Sequence, residues 1–248
     1  MGVDPIATFR LDVKYTQLAS ALTAAGVAPI LLKGPAFDQL LFDGRRSRAY
    51  RDIDLLVDPE SVPAVERVLE QLGFHLARED SVLRRLGERL AISVGMFAAE
   101  HATARIRDSD RFVVDLHRTL PEVGTSAQET WHALRAHRSA ITVADATVET
   151  LDGTASALLI ALHAAHHGPR WERAGADLER ACEVLDRDCW LGAAMLAREL
   201  LAEAPMGIGL ATTARGRALA TEFGLPTAPT LARRLGWWGI AWLERRRV

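Results

Sequence analysis

Apolar residues in the first part of the chain recur first at helical spacing and then in a short continuous run. Between residues 8 and 26 they fall near one face of a helix, and Gly26 is a typical helix stop. The segment "APILLKG" (28–34) is short and mainly apolar, which predicts a buried strand ending at a lysine and a glycine. "PAFDQLLF" (35–42) predicts a short helix, because proline is tolerated in a first turn.

The pattern then changes to strands separated by polar segments. "DGRRSRAY" (43–50) predicts an arginine-rich loop and "DIDLLV" (52–57) a second strand. A helix is predicted for 58–73, followed by strands within 101–107 and 111–120. This order predicts an α+β fold, a small mixed sheet with flanking helices.

Strand signals almost disappear after residue 150. We therefore predict two domains, an α/β domain in 1–150 and an α-helical domain in 151–248. The candidate helices are "SALLIALHAAHH" (156–167), "GADLERACEVLD" (175–186), "WLGAAMLARELLAEA" (190–204), "GLATTARGRALATEF" (209–223) and "TLARRLGWWGIAWLERRR" (230–247).

Charge and composition narrow the classes of partner. The 248 residues carry a formal net charge of −2, so no overall basic field favours long nucleic acid. No apolar run reaches the roughly 18 residues that a membrane span needs, and the first residues lack a signal-peptide pattern. These features predict a cytoplasmic protein without a membrane partner.

Acidic residues interrupt two of the apolar strands. Asp52 and Asp54 share one face of their strand because side chains alternate, and Asp115 lies in the later strand "FVVDLHR". If the two strands are neighbours, three carboxylates converge, and a divalent cation such as Mg²⁺ or Mn²⁺ would neutralise them. A D-x-D pair alone is also typical of exposed turn acids and ion-pair partners.

The order of these motifs resembles a known superfamily. "LLKGPAFDQLLF…RSRAYRDIDLLV" is similar to the nucleotidyltransferases that include DNA polymerase beta. It resembles more closely an uncharacterised bacterial group with an "LLKG…R…DIDLLV" signature, some of whose members are encoded beside lasso-peptide biosynthesis genes. The resemblance covers about residues 28–118, and "LHAAHH…W…DLERACEVL" is similar to the helical tail of that group.

The resemblance implies a polymerase beta-like fold and a metal-dependent reaction. In the superfamily two aspartates on one strand and a third on a later strand hold two Mg²⁺ ions, and the matching positions here are Asp52, Asp54 and Asp115. One departure concerns the turn that grips the triphosphate, where the superfamily usually has Gly-Ser and this chain has Lys33-Gly34. Gly34 would allow a phosphate to approach the backbone, and Lys33 would supply a positive charge.

Further polar residues are candidates for binding nucleotide or acceptor. Arg48 and Arg51 precede the acid pair and would hold phosphate oxygens or an acceptor carboxylate, or else belong to a solvated loop. His117 shares a strand face with Asp115 and would orient a ligand or metal-bound water, or else be a satisfied half-buried histidine.

Three histidines lie on one side of a predicted helix. His163, His166 and His167 have spacings that can bind zinc, but they lack the H-E-x-x-H pattern. The alternative is that the helix end, through His163 or His166, faces nucleotide or acceptor.

The resulting hypothesis is transfer of a nucleoside monophosphate from a triphosphate such as ATP to a hydroxyl group, with release of pyrophosphate. The acceptor would be a small molecule, a peptide or protein, or an RNA end, with the first two favoured over long nucleic acid. Two alternatives remain: a non-catalytic nucleotide-binding or regulatory module of the same fold, and a γ-phosphoryl transferase of natural-product biosynthesis.

Overall fold

A computed structural model describes residues 5–45, 50–77, 102–231, 233–235 and 237. These residues form two compact units. The first contains the described residues up to 77 and those of 102–119 and 126–153, and the second contains 120–125 and the described residues from 154 onward. The division into domains 1–150 and 151–248 stays a prediction. Among the described helices, none combines the length and the hydrophobicity that a membrane span needs.

The first unit contains both helices and strands. In chain order its elements are α1 (Pro5–Ala24), β1 (Ile30–Leu31), α2 (Pro35–Phe42), β2 (Asp52–Leu56), a 3₁₀ turn (Pro59–Ser61), α3 (Val62–Gln71), β3 (His75–Leu76), β4 (Ala102–Arg107), β5 (Phe112–His117), α4 (Ala127–Arg135), β6 (Arg138–Val143) and β7 (Ala146–Leu151). Each helix and strand predicted before residue 120 is confirmed, and most differences are at the ends, which sequence patterns define least well.

The strands described in the first unit form a single seven-stranded sheet. Their order is β3-β4-β5-β2-β1-β7-β6. The pairs β2–β5 and β1–β7 are parallel, whereas the other neighbouring pairs are antiparallel. The sheet is therefore mixed, and the predicted α+β class is confirmed.

Side-chain alternation gives the central strands two different faces. Ile53 and Leu55 lie opposite Val114 and Leu116 in the parallel pair β2–β5, and all four belong to the hydrophobic core. The helices α1 and α3 contribute to that same core through Tyr15, Leu18, Leu22, Val65, Val68 and Leu69. Residues between these strand positions point to the opposite face, which is where the acidic residues lie.

The hairpin β6–β7 was not predicted from the sequence. It pairs Arg138–Val143 with Ala146–Leu151, and its two turn residues, Ala144 and Asp145, have φ angles of 43° and 67°. A two-residue turn with both φ angles positive matches the twist of antiparallel strands. The signal was present as β-branched residues on both sides of "AD", but alanine at a left-handed position is unusual.

The regular elements described in the second unit are helices. They are α5 (Gly153–His167), α6 (Glu172–Val184), α7 (Arg187–Glu199), α8 (Glu203–Leu210) and α9 (Ala214–Glu222). The predicted helix 190–204 is wrong at its end, because α7 stops at Glu199 and Leu201 has a positive φ of 52°. The predicted helix 209–223 is also wrong, since Thr213 caps α9 through its side chain and separates it from α8. Most of the predicted helix 230–247 lies outside the described residues.

Candidate active site

The three candidate carboxylates lie on the face of β2 and β5 that is opposite to the hydrophobic core. Asp54 is the register partner of Asp115 in the parallel pair, and Asp52 precedes Asp54 by two residues on the same strand face. The two strands are therefore neighbours, which is the condition for the three carboxylates to converge. Asp54 is buried, with 6% of its surface exposed, whereas Asp52 is exposed at the start of the strand.

Two basic side chains contact a single oxygen of Asp54. The ammonium nitrogen Nζ of Lys33 lies 2.6 Å from Oδ1, and Nε2 of His117 donates to the same oxygen at 3.0 Å. The backbone places Lys33 there, because the Leu32 amide donates to the Asp54 carbonyl at 3.0 Å directly after β1. His117 is buried and shares the strand face of Asp115.

The surroundings of Asp54 and Asp115 shift the pKa values of these two acids in opposite directions. Burial alone would raise the pKa of Asp54, but the charge of Lys33 and the hydrogen bond from His117 bring that pKa well below its usual value. Burial raises the pKa of Asp115 to about 6, and the negative charges of Asp54 and Asp52 add to the effect. The face therefore combines one firmly ionised carboxylate with one that holds a proton more readily.

The carboxylates fit a divalent cation in ligand type. Carboxylate oxygens are the ligands that Mg²⁺ prefers in proteins. The negative charges of Asp54 and Asp52 contribute, after burial, to the raised pKa of Asp115. Within the described part of the chain, however, no three His, Cys, Asp or Glu side chains form a ready metal-binding group. One oxygen of Asp54 is already paired with the ammonium group of Lys33 at 2.6 Å.

The turn that carries Lys33 depends on a glycine and a buried tyrosine. Gly34 has φ 62° and ψ −117°, a backbone conformation that residues other than glycine rarely adopt. A Cβ at this position would lie 3.4 Å from the ring of Tyr50, whose hydroxyl in turn donates to the buried carboxylate of Asp12. The Tyr50–Asp12 pair was not identified from the sequence, because an acid within an otherwise apolar helix face gives no sign of a partner 38 residues away.

The two arginine candidates have different positions. Arg51 is exposed and directly precedes β2, whereas Arg48 lies outside the described residues. Binding of phosphate by Lys33, Gly34 and these arginines stays a prediction.

His163 belongs to the second unit, where it lies on α5 in a cluster of aromatic and imidazole rings. Its ring centroid is 4.5 Å from that of His167, which is 4.3 Å from the centroid of Trp171. His166 Nδ1 lies 3.5 Å from Oε1 of Glu122. The zinc alternative has no support among the described residues, where no metal-binding group of three such side chains occurs. A role of His163 toward nucleotide stays a prediction.

Comparison with known proteins defines the class. The chain belongs to a family described as uncharacterised nucleotidyltransferases, which matches residues 7–215. Among curated proteins, none matches the chain significantly.

One of three similar solved structures supports the same fold. The crystal structure of ANT(2'')-Ia in complex with adenylyl-2''-tobramycin is 16% identical, covers 75% of this chain and 97% of its own, and superposes with a TM-score of 0.51. The solution structure of the antibiotic-resistance factor ANT(2'')-Ia is 17% identical, with 77% of this chain and 95% of that chain covered and a TM-score of 0.49. The lincosamide antibiotic adenylyltransferase LnuA, bound to lincomycin, is 16% identical, with 75% of this chain and 100% of that chain covered and a TM-score of 0.45. At these identities the likeness to ANT(2'')-Ia establishes the fold alone.

Proposed function

We propose that this protein transfers a nucleoside monophosphate from a nucleoside triphosphate to a hydroxyl group of an acceptor and releases pyrophosphate. One observation carries the proposal: Asp54 faces Asp115 on a parallel strand pair, with Asp52 two residues away on the same face. This arrangement occurs in a chain whose family is one of nucleotidyltransferases.

The roles of the residues follow from their charges. Asp52, Asp54 and Asp115 would hold Mg²⁺ or Mn²⁺, which when bound neutralises phosphate charge and favours ionisation of the acceptor hydroxyl. Asp115 is the proposed base, because it matches the third aspartate of the superfamily and lies beside Asp54 on the same face. His117 keeps Asp54 ionised and fixed, and Gly34 lets phosphate approach the turn. Arg48, Arg51 and His163 are further proposed nucleotide or acceptor contacts.

The proposed reaction balances without a further reactant. The acceptor oxygen gives its proton to a carboxylate oxygen of Asp115 and forms a bond to the α-phosphorus. The bond from that phosphorus to the β-bridging oxygen breaks, and both electrons leave with pyrophosphate. Positioning and charge neutralisation supply most of the rate in reactions of this type.

The acceptor is proposed by chemical class. ANT(2'')-Ia has been solved with an adenylylated tobramycin, which makes hydroxylated small molecules the first acceptors to test here. The net charge of −2 disfavours long nucleic acid, and hydroxyl-bearing peptides are the second class.

Isotope position distinguishes this reaction from the alternatives. The full chain is incubated with Mg²⁺, a pool of hydroxylated acceptors and a triphosphate labelled at either the α- or the γ-phosphorus. We expect the α-label in product and the γ-label in pyrophosphate. Transfer of the γ-label to product would instead establish a γ-phosphoryl transferase. Binding of triphosphate without transfer of either label would favour a non-catalytic module.

Substitution of the acids tests the site itself. Asp52→Asn and Asp54→Asn each remove one negative charge at the proposed metal position, so we expect metal-dependent transfer to fall by roughly 100-fold or more. Rates with Mg²⁺ and circular dichroism are measured together. Asp145→Asn is the matched control, because Asp145 is exposed in the β6–β7 turn and asparagine tolerates its positive φ. Transfer retained in both site variants would show that this face is not the active site.

A further inference from the structure

Lys33 is the lysine of the candidate site, and its side chain is paired with one of the proposed metal-binding acids. The chain contains 30 lysines and arginines together, and only Lys14 and Lys33 are lysines. The Lys33 side chain is largely buried, with 17% exposed, and its ammonium group lies 2.6 Å from Oδ1 of Asp54. A carboxylate that the proposed function assigns to a divalent cation is therefore already paired with a cation of the protein.

The two oxygens of Asp54 differ in their surroundings. Lys33 and His117 both contact Oδ1, and within the described part of the chain no other partner contacts this carboxylate. Oδ2 is thus the oxygen of Asp54 without a basic partner in this part of the chain, and the carboxylate shares its strand face with Asp115. A cation that binds there meets the repulsion of an ammonium group on the neighbouring oxygen.

We propose that Lys33 is an internal counter-ion that occupies Asp54 while the site lacks nucleotide, and that its ammonium group moves to phosphate oxygens when nucleotide and divalent cation bind together. This inference rests on the proposed function. It combines two points: Lys33 contacts Asp54 in the structure, and the sequence predicts a phosphate contact at the Lys33-Gly34 turn.

Lysine chemistry suits this exchange better than arginine chemistry. Lysine is a compact point charge on a flexible four-carbon stem, whereas the guanidinium of arginine is a rigid planar fork. Lys33 also directly precedes Gly34, so a phosphate close to the turn backbone would lie within range of the same side chain. An ammonium group held at Asp54 keeps this buried carboxylate ionised before the cation arrives.

The counter-ion role predicts two effects of opposite sign in one variant. Lys33→Met keeps a long unbranched side chain but removes the charge. Without nucleotide, Mn²⁺ should bind this variant more tightly than wild type by roughly tenfold or more, a size usual for coupling between sites. In the presence of Mn²⁺, a non-hydrolysable triphosphate should bind the variant more weakly, also by roughly tenfold, because a phosphate contact is lost. A lysine with only a structural role would not give opposite effects.

Lys14 provides the matched control. It forms the other Lys–Asp pair of the first unit, 3.0 Å from Asp110, and has no place in the proposed site. Lys14→Met removes the same charge and should leave both affinities at wild-type values. Lys33→Arg restores positive charge and should return Mn²⁺ affinity without nucleotide toward wild type.

The experiment is calorimetry on the folded full chain, with Mn²⁺ alone and then with the non-hydrolysable triphosphate. Equal Mn²⁺ affinity of Lys33→Met and Lys14→Met would overturn the counter-ion role. Unchanged nucleotide affinity in Lys33→Met would overturn the movement to phosphate. Neither arm requires turnover, so opposite shifts combined with absent label transfer would retain this inference and reject only the proposed reaction.

The two lysines also allow a direct observation of movement. Reductive methylation with ¹³C-formaldehyde labels both lysines and the terminal amine, and the two single variants assign the lysine signals. Addition of Mg²⁺ with the non-hydrolysable triphosphate should move the Lys33 signal and leave the Lys14 signal in place. A Lys33 signal unaffected by both ligands would contradict the exchange.

Discussion

Glu122 has a largely buried side chain, 8% exposed, and two basic neighbours of the helical unit favour its charged form. Arg233 Nη2 donates to Oε2 at 2.7 Å, and His166 Nδ1 lies 3.5 Å from Oε1. Burial alone would raise the pKa of Glu122, but His166 and Arg233 bring that pKa below its ordinary value. The same physics acts at Asp54, where Lys33 and His117 are the basic neighbours.

The depressed pKa of Glu122 gives a signed prediction for stability. Its contribution is present above the unfolded pKa, about 4.3, and is lost as pH falls through the lower folded pKa. Glu122→Gln should therefore lower the free energy of unfolding at pH 7 by roughly 1–3 kcal/mol. Urea unfolding at pH 7 and below pH 4 should show the difference from wild type shrinking with acid.

Glu199→Gln is the control for this measurement. Glu199 is exposed in the last turn of α7, and surface changes of this kind usually stay within about 0.5 kcal/mol. A deficit of Glu122→Gln that is equally large at both pH values would mean that Glu122 acts through packing and not through its charge.

At the scale of elements, α8 packs directly on the backbone of α5. A Cβ on Gly209 would overlap the carbonyl oxygen of Ala161, so no residue with a side chain fits at this position without a shift of the backbone. Gly175 in α6 is the opposite case, since nothing lies within 4 Å of the point that its Cβ would occupy and its φ is not positive. One glycine allows two helices to approach, and the other only lowers helix propensity.

These two glycines predict opposite effects of the same substitution. Gly209→Ala should lower the free energy of unfolding by roughly 1–3 kcal/mol or more, because the helices must separate. Gly175→Ala should raise it by up to about 1 kcal/mol, because alanine has the higher helix propensity. Thermal and urea unfolding of both variants measures this contrast, and a stable Gly209→Ala protein would contradict the close packing of α8 on α5.

At the scale of the whole molecule, ligand binding should raise the free energy of unfolding. A ligand that binds only the folded state at 100 times its dissociation constant adds about 2.7 kcal/mol. For a chain of 248 residues this corresponds to a rise of roughly 5–10 °C in melting temperature. Thermal unfolding with Mg²⁺ and each triphosphate should show this rise for wild type and lose it for Asp54→Asn. Equal shifts in both proteins would place nucleotide binding elsewhere.

Local patterns were sufficient for much of the fold before residue 120. The helix 35–42 and the strand of Asp52 and Asp54 follow from a proline in the first turn and from alternation of apolar residues. The helical unit was harder. Thr213 separates α8 from α9 although both flanks favour helix, because its side chain caps the second helix.

The sequence by itself determined that Asp52 and Asp54 share a strand face, since alternation is a property of one strand. It also identified Lys33-Gly34 as a turn before a helix. Only the tertiary structure decided that Asp115 lies beside Asp54, that Lys33 and His117 share one oxygen of that acid, and that Tyr50 bonds to Asp12. Strand pairing and buried ion pairs join residues far apart in the chain, and their energies depend on burial and distance, which a local pattern does not contain.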